Sequence, residues 1–409
     1  MNYLFKQNAR QGKKMNSTAD HKTSSEKKRI INIFALASFL NDFGSDMIYP
    51  VWPLFVTVVL RANMSVLGFI DGLGEAIVSL SQALSGYLSD RFQRRKIFIW
   101  TGYLLGAISR LGYALSPTWK HLIPFRIIDR GGKIRSAPRD AIVADISTDY
   151  DRGRNFGLLR AMDHLGAVAG IITCILLIQF LGYRQLFLLA ALPTVIGTLL
   201  IIIFIREKKA PSGRVYKGYD FHHLDANLRL LFFLSAIFAL GSFSYSFLLI
   251  FAKESGFRST SVPVLYLVFS AFAFLSSLPF GKLADRIGRK KVLWIGYSLW
   301  VFVCLLFILS ENKTLLIIAF IFYGLHRGAL EPVSKTLVAE LAPASFKASI
   351  LGAYQMVIGF CALPASFIAG LLWDKWGKIV PFLLSLILTL TAMFLLLKIK
   401  EKPRKFRKS

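Results

Sequence analysis

The feature that most constrains this chain is a succession of apolar stretches of about 20 residues or more, separated by short polar gaps. A helix needs that length to cross the hydrocarbon core of a bilayer. Lipid admits only helices and closed barrels, because backbone N–H and C=O groups find no water there. Scanned on that criterion, the sequence predicts twelve spans, at approximately 31–60, 65–89, 97–116, 120–145, 155–181 and 184–205, then 229–252, 262–285, 291–310, 315–341, 347–372 and 379–398. Several exceed the minimum length and are expected to tilt or to run past the bilayer. The first, with Asp42, Asp46, Pro50 and Pro53, and the fourth, with many charges, are the weakest by hydropathy. The expected fold class is an all-α membrane protein with twelve transmembrane helices.

Composition agrees: 55% of the 409 residues are hydrophobic, Phe alone occurs 35 times, and the mean hydropathy is +0.53. A formal net charge of +27 would suggest a nucleic-acid surface in a soluble protein. Here the basic residues sit in the gaps and tails, as the positive-inside rule requires, so no nucleic-acid partner is expected. One set of gaps comprises both tails, 89–96, 146–154, 206–228, 286–291 and 342–346, and is rich in Lys and Arg. The other comprises 61–64, 117–119, 182–183, 253–261, 311–314 and 373–378, and is poor in them. The basic set is expected in the cytoplasm with both termini, leaving Trp119, Trp373 and Trp376 as interfacial anchors at the outer ends. Residues 1–30 are polar and basic without an apolar core, so they read as a disordered cytoplasmic tail rather than a cleavable signal peptide. Bundles at 31–205 and 229–398 are then joined by a cytoplasmic linker, 206–228, and followed by a basic tail, 399–409.

The sequence repeats itself at an offset of 195 residues. Gly86-Tyr-Leu-Ser-Asp90-Arg91-Phe-Gln-Arg94-Arg95-Lys96 aligns with Gly281-Lys-Leu-Ala-Asp285-Arg286-Ile-Gly-Arg289-Lys290-Lys291, and the same offset pairs Asp145 with Glu340, Gly157 with Gly352 and Arg160 with Gln355. The chain reads as a duplicated six-helix unit, two pseudo-symmetric bundles with a substrate site near the midplane between them. The block closes the second helix of each half. Its glycine permits close backbone approach, and its aspartate can sit at the N-terminus of a helix from the other half, where a carboxylate gains about 0.3–1 kcal/mol. Candidate helix starts are near Lys347 for Asp90 and near Asn155 for Asp285. The arginines can also pair with Asp145 and Glu340. Such contacts would shut the cytoplasmic side and break when it opens, making Gly86, Asp90, Arg91, Arg94, Asp145, Gly281, Asp285, Arg286, Arg289 and Glu340 candidate gate residues. Arg139, Asp140, Arg152 and Arg154 are expected to contribute to the same gate.

This pattern, G-x-L-x-D-R-x-G-R-R/K-K, resembles the signature loop of major facilitator superfamily transporters. The second copy fits throughout; the first has Gln93 where the family has glycine, so its turn is expected to be less tight. The resemblance implies alternating access by two rocking bundles. A narrower likeness lies at Asp129-Arg-Gly-Gly-Lys-Ile-Arg-Ser-Ala-Pro-Arg-Asp, which resembles an uncharacterised prokaryotic branch carrying D-R-x-G-K-G-I-R-x-A-P-R-D-A. It implies residence in a prokaryotic plasma (inner) membrane. This chain is one residue short between Lys133 and Ile134, and one residue turns a helix by about 100°. Arg130 and Arg135 are therefore expected to shift around the axis relative to the family pattern.

Ionisable residues within spans are expensive and are functional candidates by default. In the first half they are Asp42 and Asp46, Asp71 and Glu75, Arg110, then Arg126, Asp129, Arg130, Lys133 and Arg135, and Arg160, Asp163 and His164; in the second, His326, Arg327, Glu331 and Lys335, with Gln355 as a polar neighbour. Asp42 and Asp46 share a helix face, as do Asp71 and Glu75, and Arg126 and Arg130. A carboxylate that alternately meets arginine and water can take up and release a proton, so Asp42, Asp46, Asp71 or Glu75 are candidate carriers with Arg126 as counter-charge. Static pairing is the simpler reading of each. Asp71 and Glu75 also fit solvated positions near the outer surface, and His164 and His326 fit polar packing roles.

No metal-ligand cluster, no nucleophile with its base and no phosphate loop is present in the sequence, so no cofactor, metal or enzymatic activity is expected. Cys174, Cys304 and Cys361 lie singly in apolar stretches. The expected function is secondary active transport of a small polar or anionic solute, coupled to protons as symporter or antiporter, by a monomer whose partners are lipid, solute and protons. A proton-driven drug or metabolite exporter is the alternative, favoured by the Phe-rich seventh span, though such faces also meet lipid. A non-transporting membrane sensor is a distant third.

Overall fold

The computed structural model describes residues 26–92, 94–148, 151–206, 225–343 and 347–400. Among them all regular structure is helical. In order these are α1 (26–48), α2 (Trp52–Leu54), α3 (Met64–Phe92), α4 (Lys96–Leu115), α5 (Trp119–Gly131), α6 (Ser136–Ile146), α7 (Arg152–Leu177), α8 (Tyr183–Phe204), α9 (Ala226–Gly241), α10 (Tyr245–Glu254), α11 (Val262–Ile287), α12 (Arg289–Leu309), α13 (Lys313–Leu341), α14 (Lys347–Trp376) and α15 (Val380–Leu397).

Three passages are interrupted. The chain turns between α1 and α2 at the Pro50–Pro53 region, where Pro53 lies in the first turn of α2, and then runs into a π-helical turn, Phe55–Val59. Between α5 and α6 lies a 3₁₀ turn, Gly132–Arg135. Residues 242–244 separate α9 from α10, whose N-cap Ser244 accepts a hydrogen bond from the Ser246 N–H. Among the described residues nine segments are long and apolar enough to cross a bilayer. The three expected passages that fall short are the first, interrupted and carrying Asp42 and Asp46; α4, with Arg110 amid three glycines; and the charged α5–α6. All three nonetheless lie as helices within the bundle, α4 packing along α8 and α5. The outside of the molecule is apolar: Leu278, Ile203 and Phe394 are 66%, 65% and 61% exposed, a surface suited to lipid.

The two ends of the bundle differ. At the end away from the basic gaps, α3 and α14 press backbone against backbone. A Cβ on Gly72 would lie 2.6 Å from Leu363 Cα, and one on Gly370 or Gly68 would strike the Met64 or Ser366 carbonyl. The Asp374 carboxylate of α14 caps α3, accepting from Met64 N at 3.0 Å and Ser65 N at 2.8 Å. At the basic end, a Cβ on Gly157, Gly281 or Gly352 would meet nothing within 4 Å. Among the described residues, the N-terminal helices (α1–α8) and C-terminal helices (α9–α15) thus meet closely at one end and leave these glycines uncovered at the other.

One reading of the sequence needs correction. Trp373 is 7% exposed and stacks edge-on against Phe251, so it belongs to the protein core and not to the interface. In the seventh passage, Phe238, Phe243, Phe247 and Phe251 are buried, and only Phe233, at 59%, is strongly exposed, so this aromatic face packs inward.

Candidate functional site

Between them the halves enclose a cavity of about 600 Å³. Its N-terminal wall is built by α3 and α5. Asp71, Gly74 and Glu75 sit on one face of α3, and Arg126 and Arg130 on the facing side of α5. Gly74 is needed there, since a Cβ would come within 3.0 Å of Arg126 Nε and 3.2 Å of Arg130 Cγ.

Asp71 is 3% exposed and accepts four hydrogen bonds. Trp52 Nε1 and Arg126 Nη2 donate to Oδ1, each at 2.9 Å, and the hydroxyls of Ser244 and Ser246 donate to Oδ2 at 2.7 and 2.5 Å. Two of the four donors come from the C-terminal helices, so Asp71 joins the halves at the closed end. Tyr245 OH to the Tyr49 carbonyl, 3.3 Å, and Tyr266 OH to Asp46, 3.2 Å, are further bonds between the halves.

Arg126 lies over the Trp52 ring at 4.5 Å, and Arg130 over Tyr49 at 5.0 Å, donating to its hydroxyl at 3.3 Å. Asp129 lies 3.6 Å from Arg130 Nε, too far for a hydrogen bond. Both guanidiniums are buried, yet Arg126 Nε and Nη1 and Arg130 Nε have no hydrogen-bond partner. Glu75 is exposed on the cavity wall and has neither hydrogen bond nor ion pair among the described residues. The C-terminal wall is aromatic: successive ring centroids from Tyr245 to Tyr266, Phe269 and Tyr323 are 5.2, 4.8 and 5.1 Å apart, with Trp300 5.6 Å from Tyr323.

Of the other sequence candidates, His326, Arg327, Glu331 and Gln355 also line the cavity. His326 Nδ1 lies 2.7 Å from the Gly296 carbonyl; a carbonyl only accepts, so Nδ1 carries the proton and, in the neutral ring, Nε2 is the acceptor. Glu331 bridges Lys335 at 3.2 Å and Arg327 at 3.8 Å. Asp42, Asp46, Arg110, Asp129, Lys133, Arg160 and Asp163 are not on the cavity wall. Arg110 is 1% exposed and ties α1, α4 and α8 together through Asn41, Ser45 and the Ala190 carbonyl. Asp42 accepts from Asn41 at 2.8 Å, and Asp163 pairs with Arg160 and Arg139 at 3.5 and 3.8 Å. Sequence reasoning missed Ser244, Ser246 and Asp374. For Asp374 there was a signal, the one acid in the outer gap 373–378; isolated serines carry none.

At the basic end, Arg289 bonds Asp285 at 2.6 Å and Glu340 at 2.9 Å, and Arg95 pairs with Asp145. Lys96 and Lys290 donate to the carbonyls of Ile202 and Leu397, at the ends of α8 and α15. Arg95 therefore does in one half what Arg289 does in the other, and the register across this turn is 194, not 195. The cause is Gly288, whose φ of +112° makes the second turn one residue shorter than the first, which lacks that glycine. Arg91, Arg94 and Arg286 are exposed, and the Asp285 side chain is 68% exposed. A Cβ on Gly86 would lie 3.6 Å from Ala137 Cβ, an ordinary contact. The side chains of Asp90, Arg152 and Lys347 lie outside the described residues.

Two halves closed over one end of a polar, aromatic-walled cavity, inside an apolar exterior, define a multi-pass membrane transporter. The family model described as Major Facilitator Superfamily matches residues 34–223 and 231–409, and the chain belongs to that family; it is a transporter and not an enzyme. It is 36% identical over 394 residues to an uncharacterised MFS-type transporter of Methanocaldococcus jannaschii, covering 93% of this chain and 98% of the relative. It is 24% identical over 330 residues to the multi-drug resistance efflux pump PmrA of Streptococcus pneumoniae, covering 76% and 81%. Among solved structures, the nucleoside transporter NupG, as a point mutant, superimposes with a TM-score of 0.77 at 16% identity, over 91% of this chain and 100% of that one. A POT family transporter in complex with 5-aminolevulinic acid gives 0.73 at 14%, over 90% and 95%. These likenesses establish the fold.

Proposed function

We propose that this chain is a proton-coupled secondary transporter of a small polar or anionic solute. It would work by alternating access, with twelve spans in two six-helix bundles, as a monomer in a prokaryotic inner membrane with both termini cytoplasmic. The observation that carries the reading is the cavity itself, open toward the basic end and shut at the other by bonds that run between the halves. With the basic end in the cytoplasm, this is the inward-open state. Glu75 is the carboxylate best suited to exchange a proton with cavity water, since it is exposed and unpartnered, whereas Asp71 is held by four donors.

Purified protein in proteoliposomes, offered a metabolite panel with and without a pH gradient, tests this. A transported solute should accumulate severalfold with the gradient, and Glu75→Gln should retain exchange while losing that dependence. Accumulation undiminished without a gradient would sink the proton coupling. A second reading, proton-driven export of drugs or metabolites, draws on the aromatic wall and on the PmrA likeness; movement of lipophilic cations against the proton flow would favour it.

A further inference from the structure

Two guanidiniums that line the cavity carry N–H groups without an acceptor. Three N–H-bearing nitrogens on two buried guanidiniums, Arg126 Nε and Nη1 and Arg130 Nε, have no acceptor. The two arginines are one helical turn apart and border the same cavity. A buried donor without an acceptor costs roughly 1–3 kcal/mol, more when charged, and a carboxylate that accepts from a guanidinium makes a charge-assisted bond that offsets this penalty. On the facing wall the carboxylate is engaged, and His326 presents Nε2 as an acceptor. Glu331 already meets Lys335 and Arg327, and the rings from Tyr245 to Trp300 form a continuous surface. That surface offers area to an apolar or aromatic body, which stacks or packs edge-on with such rings. A volume of about 600 Å³ falls in the range that holds a drug-sized organic molecule, about 300–1,000 Å³.

We infer that the solute is an amphipathic organic anion, a carboxylate with an aromatic or otherwise flat apolar body. Its head lies against the Arg126 and Arg130 side chains on the cavity wall, and its body lies on the Tyr245–Tyr266–Phe269–Tyr323 wall. Glu75 is the one lining carboxylate without a hydrogen bond or ion pair among the described residues; protonated, it no longer competes with an incoming anion for the two arginines. Proton and anion therefore enter together, with no net charge added to the cavity. This inference rests on the transport reading, but its test does not require transport.

Equilibrium dialysis of the purified full-length protein at about pH 6.5 would use naphthalene-2-carboxylate, its neutral carboxamide, the cation 2-(aminomethyl)naphthalene, and acetate as a head without a body. The carboxylate is expected to bind at least tenfold tighter than each of the other three: the amide brings no charge to the guanidiniums, the amine brings the wrong one, and acetate has no body for the aromatic wall. Arg130→Gln should weaken it tenfold or more. Tyr323→Leu, which keeps the fold-bearing charges, should weaken naphthalene-2-carboxylate severalfold and leave acetate unchanged. Equal binding of the amide or the amine, or unaltered binding to a monodisperse Arg130→Gln protein, would overturn the anion assignment. Acetate binding as tightly as naphthalene-2-carboxylate would overturn the aromatic part. Carboxylate binding without transport of any solute would count against the transport reading alone. Transport of a neutral solute without carboxylate binding would count against this inference alone.

Discussion

Asp71 and Arg126 form an ion pair whose side chains are 4% and 3% exposed, and a pair taken that far from water penalises the loss of one partner more than the loss of both. Breaking such a pair costs roughly 3–5 kcal/mol, because an uncompensated charge stays buried. Arg126→Gln alone is therefore expected to lower unfolding stability by about that amount, whereas Asp71→Asn with Arg126→Gln should recover roughly 1–3 kcal/mol of it. Unfolding of the purified protein in mixed micelles would show this, and strictly additive losses would contradict it. An arginine inside a span announces that it needs a partner, but not which one. The sequence left Arg126 facing four carboxylates, because the partner is chosen by how α3 and α5 pack. The serines on Asp71 were illegible for another reason: they act only because the chain breaks between α9 and α10, and residues 241–246 (Gly-Ser-Phe-Ser-Tyr-Ser) contain no proline to signal a break.

At the scale of elements, apolar length was easy to read and local geometry was not. The twelve expected passages all correspond to helical stretches among the described residues, since lipid leaves a long apolar segment little else to form. The missing residue near Lys133 was legible, but its effect was not. Four residues of 3₁₀ helix turn about 480° and rise about 8 Å, against about 500° and 7.5 Å for five α-helical residues. The 3₁₀ turn Gly132–Arg135 thus turns and rises about as much as an α-helical segment one residue longer would. It fits because Gly102 and Gly132 lie against each other: a Cβ on Gly132 would come 2.7 Å from the Gly102 carbonyl oxygen. The Gly288 turn sets the opposite case, a residue saved by a backbone conformation closed to L side chains. Gly288→Ala is expected to cost about 1–3 kcal/mol and to loosen Arg289 from Glu340, read as a lower unfolding midpoint. An unchanged midpoint would mean that the turn relaxes at no cost.

For the whole molecule, the asymmetry between its ends is a statement about an equilibrium. The closed end is held by the Asp374 cap on α3 and by the glycine-to-backbone contacts of Gly68, Gly72 and Gly370. The basic end has no comparable contact at Gly157, Gly281 or Gly352. If the halves rock as bodies, a wedge at the closed end must narrow the open one. Overpacking costs typically about 1–3 kcal/mol, and two conformations separated by a few kcal/mol can be inverted by a perturbation of that size. Consider a variant with Cys174, Cys304 and Cys361 replaced by alanine and a reporter cysteine at Gly352. A membrane-impermeant maleimide supplied from the basic side should label it readily. Adding Gly370→Val, whose side chain must displace the Met64 carbonyl, should slow that labelling severalfold and speed labelling of a Ser244→Cys reporter from the other side. Paired opposite changes would show that one motion links the two ends. Slowed labelling at neither site, in a protein that still folds, would mean that the closed end yields locally and that the halves do not move as units.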